Sequence, residues 1–269
     1  MKKAVYSIFL VLFLSIALFA GYQIYSIASE YQTGETAAAE LQQFIHMETV
    51  PAATEAVEET DEPVPTDAAE SAEETQPAED SFPYPTVDFA GLRQINSDVV
   101  AWIMIEGTNV NYPVVQGRDN SRYLTVMADG RKNAAGSIFM DYRCQADFSD
   151  RHTVIYGHYM GNGTMFHNVR EYRRPGYFEE HPTGIILTPE KNFRFEVIAG
   201  YVAKPDSDAW ELTFASDEDF SAWLAESMAA SVFDSGIVPT AEDRIITLST
   251  CTYEFNNARF VLICRVMPD

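Results

Sequence analysis

The sequence predicts a mainly β domain with helices, closed or nearly closed into a barrel, behind an apolar N-terminal helix and an acidic linker. Three observations carry this. Short β-type runs separated by turn residues fill residues 99–267. An uncharged apolar run occupies residues 4–22. Between the two lies a stretch rich in Ala, Glu, Thr and Pro and poor in aromatics.

The apolar run comes first. Its nineteen or so residues suffice for a helix to cross the hydrocarbon core of a bilayer. Lys2 and Lys3 precede it and Glu30 follows it. The positive-inside rule then puts the N-terminus in the cytoplasm and the rest of the chain outside. A cleaved signal peptide is the competing reading, with Ser26-Ile27-Ala28 as a small-x-small site. The run exceeds the roughly 7–15 residue core of such peptides, which favours a retained anchor over residues 1–28. Residues 29–82 form the expected linker. From 33 to 82 it holds too little apolar surface to offset its ordering entropy, and like charges extend it. Its first part, about residues 35–48, is compatible with a continuing helix. The expected role is a solvated spacer.

The globular domain is expected at 83–269. Val87 to Ile95 reads as a short helix, with Phe89, Leu92 and Ile95 on one face. The β-type runs are Val99–Ile105, Asn111–Val115, Ser137–Met140, Thr153–Tyr156, Gly184–Thr188, Phe193–Ala203, Arg244–Cys251 and Arg259–Met267. Two helical stretches interrupt them, about Met165 to Tyr172 and Asp217 to Val232. In the second, Phe220, Trp223, Leu224, Met228 and, one turn on, Val232 recur at helical spacing and suit packing on a barrel. Asp217 and Glu218 at its start suit the helix dipole.

The net charge of -22 argues against nucleic acid, which needs clustered Lys and Arg. Three cysteines, Cys144, Cys251 and Cys264, make no disulfide framework and no C-x-x-C zinc pair. The β-branched run Ile245 to Thr250 leads straight into Cys251. In an antiparallel hairpin with the next strand, Cys251 and Arg259 would face each other. A guanidinium there lowers the thiol pKa and can hydrogen-bond an oxyanion. A second strand, Thr153 to Tyr156, delivers Gly157 and then His158, which can act as acid or base toward a thiol and a leaving amine. His46, His152, His167 and His181 carry no such context.

Taken together, Thr247-Leu248-Ser249-Thr250-Cys251, the Tyr156-Gly157-His158 turn and Arg259 resemble the sortases, the cell-wall transpeptidases of Gram-positive bacteria. The resemblance covers about residues 85–269 and implies an eight-stranded sortase-type β-barrel. Asn111 to Gly117 followed by Asn120 and Leu124, the stretch Gly157 to Phe166, and the helix before the cysteine strand resemble class B in particular. The resemblance implies Cys251, His158 and Arg259 as the catalytic residues. It implies Asn120, Leu124, Ser249 and Thr250 as substrate-binding, with no metal and no cofactor. The partners it implies are surface proteins with a C-terminal sorting signal, a peptidoglycan amine, and the cell membrane through the N-terminal helix. One departure is visible: some class B enzymes have an acid directly after the cysteine, where this chain has Thr252. Glu254 and Asp141 are open candidates for a supporting role. The alternatives are a pilus-polymerising sortase and a non-catalytic, membrane-tethered extracellular binding module. An L,D-transpeptidase would want a Ser-His-Gly-Cys run, which is absent.

Overall fold

The computed structural model describes residues 2–46, 83–252 and 257–268. Helix α1 runs from Lys2 to Leu41, and a short 3-10 turn, Gln42–Phe44, leads into strand β1, Ile45–His46. It is long and apolar enough to cross a membrane, and its apolar residues from Phe9 to Ile27 are exposed. Strand β2 (Thr86–Val87) and helix α2 (Phe89–Ile95) open the catalytic domain. Then follow β3 (Val99–Ile105), β4 (Asn111–Val115), β5 (Ile138–Met140) and β6 (His152–Tyr156). Short helices α3 (His167–Glu171) and α4 (Tyr177–Glu180) precede β7 (Thr183–Leu187) and β8 (Phe193–Ala203). Helix α5 (Asp217–Ala230), β9 (Ile245–Cys251) and β10 (Arg259–Val266) complete the order.

Eight strands close a barrel in the order β10-β8-β7-β3-β4-β5-β6-β9. The β4–β5 and β6–β9 pairs are parallel and the others antiparallel. Alternation along each strand divides the apolar residues between two faces. Ile103, Val114, Ile155, Phe195, Leu248 and Leu262 share the interior cluster. The opposite faces pack outward. Phe220, Trp223 and Leu224 of α5 bury against Ile198, Val261 and Ile263, the placement predicted for that aromatic stripe.

Element ends differ from expectation where a local contact overrides periodicity. Helix α3 cannot start at Met165, whose φ of 57° is left-handed and which bridges to Tyr159. Helix α5 stops at Ala230 because the next residues turn onto β8. Val232 N donates to the Gly200 carbonyl at 2.8 Å, and Gly200 N donates to Ser231 Oγ at 3.1 Å. Helix α2 begins at Phe89 because Asp88 caps it, accepting from Gly91 N at 2.8 Å.

The larger difference concerns residues 29–46, expected in the linker. They continue α1 and pack on the barrel, with Ala37 and Leu41 buried. Gln42 Nε2 donates to the Asn111 carbonyl at 3.0 Å. Strand β1 pairs with β2, Ile45 opposite Val87 and His46 opposite Thr86. The chain on either side of 47–82 is therefore brought together rather than spread apart. The spacer expected there lies outside the described residues.

Candidate active site

Cys251 ends β9 and Arg259 opens β10, and the antiparallel register sets them directly opposite one another. Both are half-buried. On β9, Ile246, Leu248 and Thr250 face the interior, so Ser249 and Cys251 face the outer wall.

Strand β6 runs parallel to β9 with Tyr156 opposite Ser249, and Gly157 N donates to the Ser249 carbonyl at 3.1 Å. Two further residues along each strand bring His158 alongside Cys251. Gly157 is required by space. A Cβ there would lie 2.5 Å from Ile138 Cδ1 and 2.6 Å from Phe166 Cδ2. The chain then closes behind the histidine, Phe166 N donating to the His158 carbonyl at 2.9 Å. His158 Nε2 lies 2.8 Å from the Leu124 carbonyl. A carbonyl only accepts, so Nε2 carries a proton and Nδ1 is the nitrogen whose proton varies.

The pairing of Cys251 with His158 shifts the pKa of both. It is the first reason the Cys251 thiol falls below its ordinary range. Burial opposes this, and the Arg259 charge adds to it. The same pairing raises the His158 pKa, against burial and helped by the Leu124 carbonyl. Both shifts favour the thiolate–imidazolium form of the pair. The other thiols go the opposite way. Burial pushes Cys144 up to about 11 and raises Cys264 as well.

The expected substrate-binding residues divide. Leu124 is exposed, and its carbonyl is the histidine's acceptor. Asn120 is half-buried, its Nδ2 donating to Asp141 Oδ2 at 2.8 Å and its Oδ1 accepting from Tyr142 N at 3.1 Å. Ser249 is on the outer wall with Cys251 but buried, its Oγ accepting from Trp210 Nε1 at 3.2 Å. Thr250 is buried, 1% exposed, and strand alternation turns its side chain toward the barrel interior.

Asp141 lies fully buried beneath Asn120. Burial would raise its pKa, but hydrogen bonds from Arg143, Asn120 and Tyr156 outweigh that and hold the carboxyl below its usual range. It supports Asn120 and does not touch the cysteine. Glu254 lies outside the described residues. Nothing in the sequence pointed to Arg170, whose Nε donates to Thr252 Oγ1 at 3.1 Å and whose guanidinium lies 4.7 Å from the Tyr159 ring centroid. Arg170 thus touches the residue after each of the cysteine and the histidine. His152 is a core residue, between the Glu211 carbonyl at 2.6 Å and Thr247 Oγ1 at 2.7 Å.

A closed barrel that brings a thiol and an imidazole side by side on its outer wall, with an arginine in register, is the arrangement of a barrel-type cysteine acyltransferase. The chain belongs to the sortase family, whose sortase-domain model matches residues 103–267. Within it, the chain is a sortase B-type cysteine transpeptidase. It is 33% identical over 181 residues to sortase B of Staphylococcus aureus, covering 66% of this chain and 74% of that one. To sortase B of Listeria monocytogenes it is 37% identical over 173 residues, covering 64% and 70%. The fold matches a Staphylococcus aureus sortase B–substrate complex with a TM-score of 0.63 at 32% identity, covering 66% of this chain and 84% of that chain. It matches a sortase B complexed with triglycine with a TM-score of 0.63 at 32% identity, covering 66% and 85%.

Proposed function

We propose that this transpeptidase cleaves a Pro-x-Thr-type sorting motif after its threonine and joins the protein to a peptidoglycan amine through a thioester on Cys251. The observation that carries this is the strand register that brings His158 alongside Cys251 and sets Arg259 opposite it. The Cys251 thiolate attacks the threonine carbonyl. Arg259 donates hydrogen bonds to the oxyanion. His158, protonated, gives its proton to the leaving amine, and the C–N bond breaks. The thioester remains on Cys251. An acceptor amine then attacks it, His158 takes the amine's proton, and the thiolate leaves as an amide forms. Asn120, Leu124 and Ser249 are assigned to the groove that holds the motif. The triglycine complex of a relative supports an amine as acceptor.

The anchor belongs to the same reading. Residues 4–22 cross the membrane, Lys2 and Lys3 remain on the cytoplasmic side, and the barrel works outside. The test uses the full chain in detergent micelles with a library of quenched Pro-x-Thr peptides, with and without amine acceptors. The expected result is cleavage after threonine, an acyl adduct on Cys251 by mass spectrometry, and an amide product when amine is present. No cleavage of any peptide with Cys251 reduced would sink the assignment.

A further inference from the structure

The last part of α1 touches both pieces of chain that hold His158. The first piece is the loop after the histidine. Glu35 Oε1 accepts from Asn162 Nδ2 at 2.8 Å. Tyr31, Gly34 and Ala38 line a small cavity with Met160, Thr164 and Met165. That loop returns to the histidine through the hydrogen bond from Phe166 N to the His158 carbonyl.

The second piece carries the acceptor for Nε2. The Glu30 carbonyl accepts from Asn133 Nδ2 at 2.9 Å, and Glu30 Oε1 accepts from Ala134 N at 3.2 Å. A Cβ on Gly34 would stand 3.5 Å from that of Ala135, so the helix rests on this segment at contact distance. The segment in turn lies against Leu124. Ser137 N donates to the Tyr123 carbonyl at 2.9 Å, and a Cβ on Gly136 would overlap the Tyr123 and Leu124 carbonyls. The helix face is built for close approach, with Gly34, Ala37 and Ala38 toward the barrel.

We propose that residues 30–41 of α1 are a positioning strut for His158, bracing its loop at Asn162 and its Leu124 acceptor through residues 133–136. The inference rests on the role of His158 set out above. It makes the helix next to the membrane part of the catalytic apparatus rather than a tether. These residues act through the histidine and touch no substrate.

The test uses full-length protein in micelles and two readouts. One is the pH profile of Cys251 alkylation by iodoacetamide, which needs no substrate and is selective because Cys144 and Cys264 are buried. The other is turnover of quenched Pro-x-Thr peptides. Asn162→Asp sets a carboxylate against Glu35. It is expected to move the alkylation profile to higher pH and lower kcat at least about fivefold, with KM little changed, as a displaced catalytic group does. Glu35→Lys added to Asn162→Asp should restore both. Ala37→Glu, which drives the helix off the barrel, should do more than Asn162→Asp alone. An unchanged profile and kcat in Asn162→Asp, or in an Ala37→Glu protein that melts cooperatively and is cleaved by protease within 30–41, overturns the strut. His158→Ala separates the two readings. If it still transfers peptide, the role of the histidine fails. If it is dead while the strut variants act as wild type, only the strut fails.

Discussion

Replacing Gly157 with alanine isolates what places the histidine. The new Cβ would sit 2.5 Å from Ile138 Cδ1 and 2.6 Å from Phe166 Cδ2. Carbon atoms prefer about 3.5–4.0 Å, so each overlap is roughly 1 Å. Both neighbours are fully buried and cannot swing into solvent. Overpacking of this kind costs about 1–3 kcal/mol. At about 2–4 °C per kcal/mol for a domain of this size, the melting temperature should fall by roughly 2–12 °C. The strain is relieved most easily by moving the loop rather than the barrel, which carries His158 away from Cys251. A displacement near 1 Å is worth about a hundredfold in kcat. Thermal melts and turnover on one sorting peptide measure the two effects separately. A variant that melts with the parent and turns over at the parent rate would refute the argument that Gly157 sets the histidine's position.

Cys251→Ala should abolish cleavage and transfer, whereas Cys144→Ala should retain turnover because that thiol is buried and its pKa raised; peptide cleavage and mass spectrometry report both. His158→Ala should move the Cys251 alkylation profile to higher pH, since the lost pairing is the leading cause of its lowered pKa. Arg259→Lys keeps a charge but loses the planar fork, so kcat should fall about a hundredfold or more while peptide KM changes less. His152 predicts an acid sensitivity. Burial lowers its pKa to about 4 in the folded protein, against about 6.5 unfolded. Its neutral form stabilises fully above the unfolded value, and that contribution is lost as pH falls through the folded one. By pH 4.5 the loss is roughly 2–3 kcal/mol, and His152→Gln should lack that part of the slope in urea melts at pH 7 and 4.5.

The strands were legible because period-two alternation and turn residues mark them without knowledge of the fold. The facing of Cys251 and Arg259 followed from a hairpin alone, and the observed register agrees. The same alternation puts the side chains of Thr250 and Ser249 on opposite faces of β9, because adjacent strand residues point opposite ways. The docking of α1 left no comparable trace. Its contact face is Gly34, Ala37 and Ala38, too small to register as an apolar stripe, and its polar contacts join distant residues such as Glu35 and Asn162. Arg170 was hidden for the same reason, because its hydroxyl partner Thr252 lies 82 residues away.

The unbroken α1 sets a height. With residues 4–22 in the hydrocarbon core, Glu30 lies about 12 Å beyond Tyr22 along a helix that rises 1.5 Å per residue, and Glu30 already holds Asn133 of the barrel. On the proposed topology the barrel would be held just outside the headgroup layer, which extends only about 5–7 Å beyond the hydrocarbon core. Altitude becomes a matter of residue count in one helix. Seven residues inserted between Ile24 and Ser29 would lift the barrel by about 10 Å with almost the same rotation, while lengthening the acidic segment between His46 and Thr86 would lift it not at all.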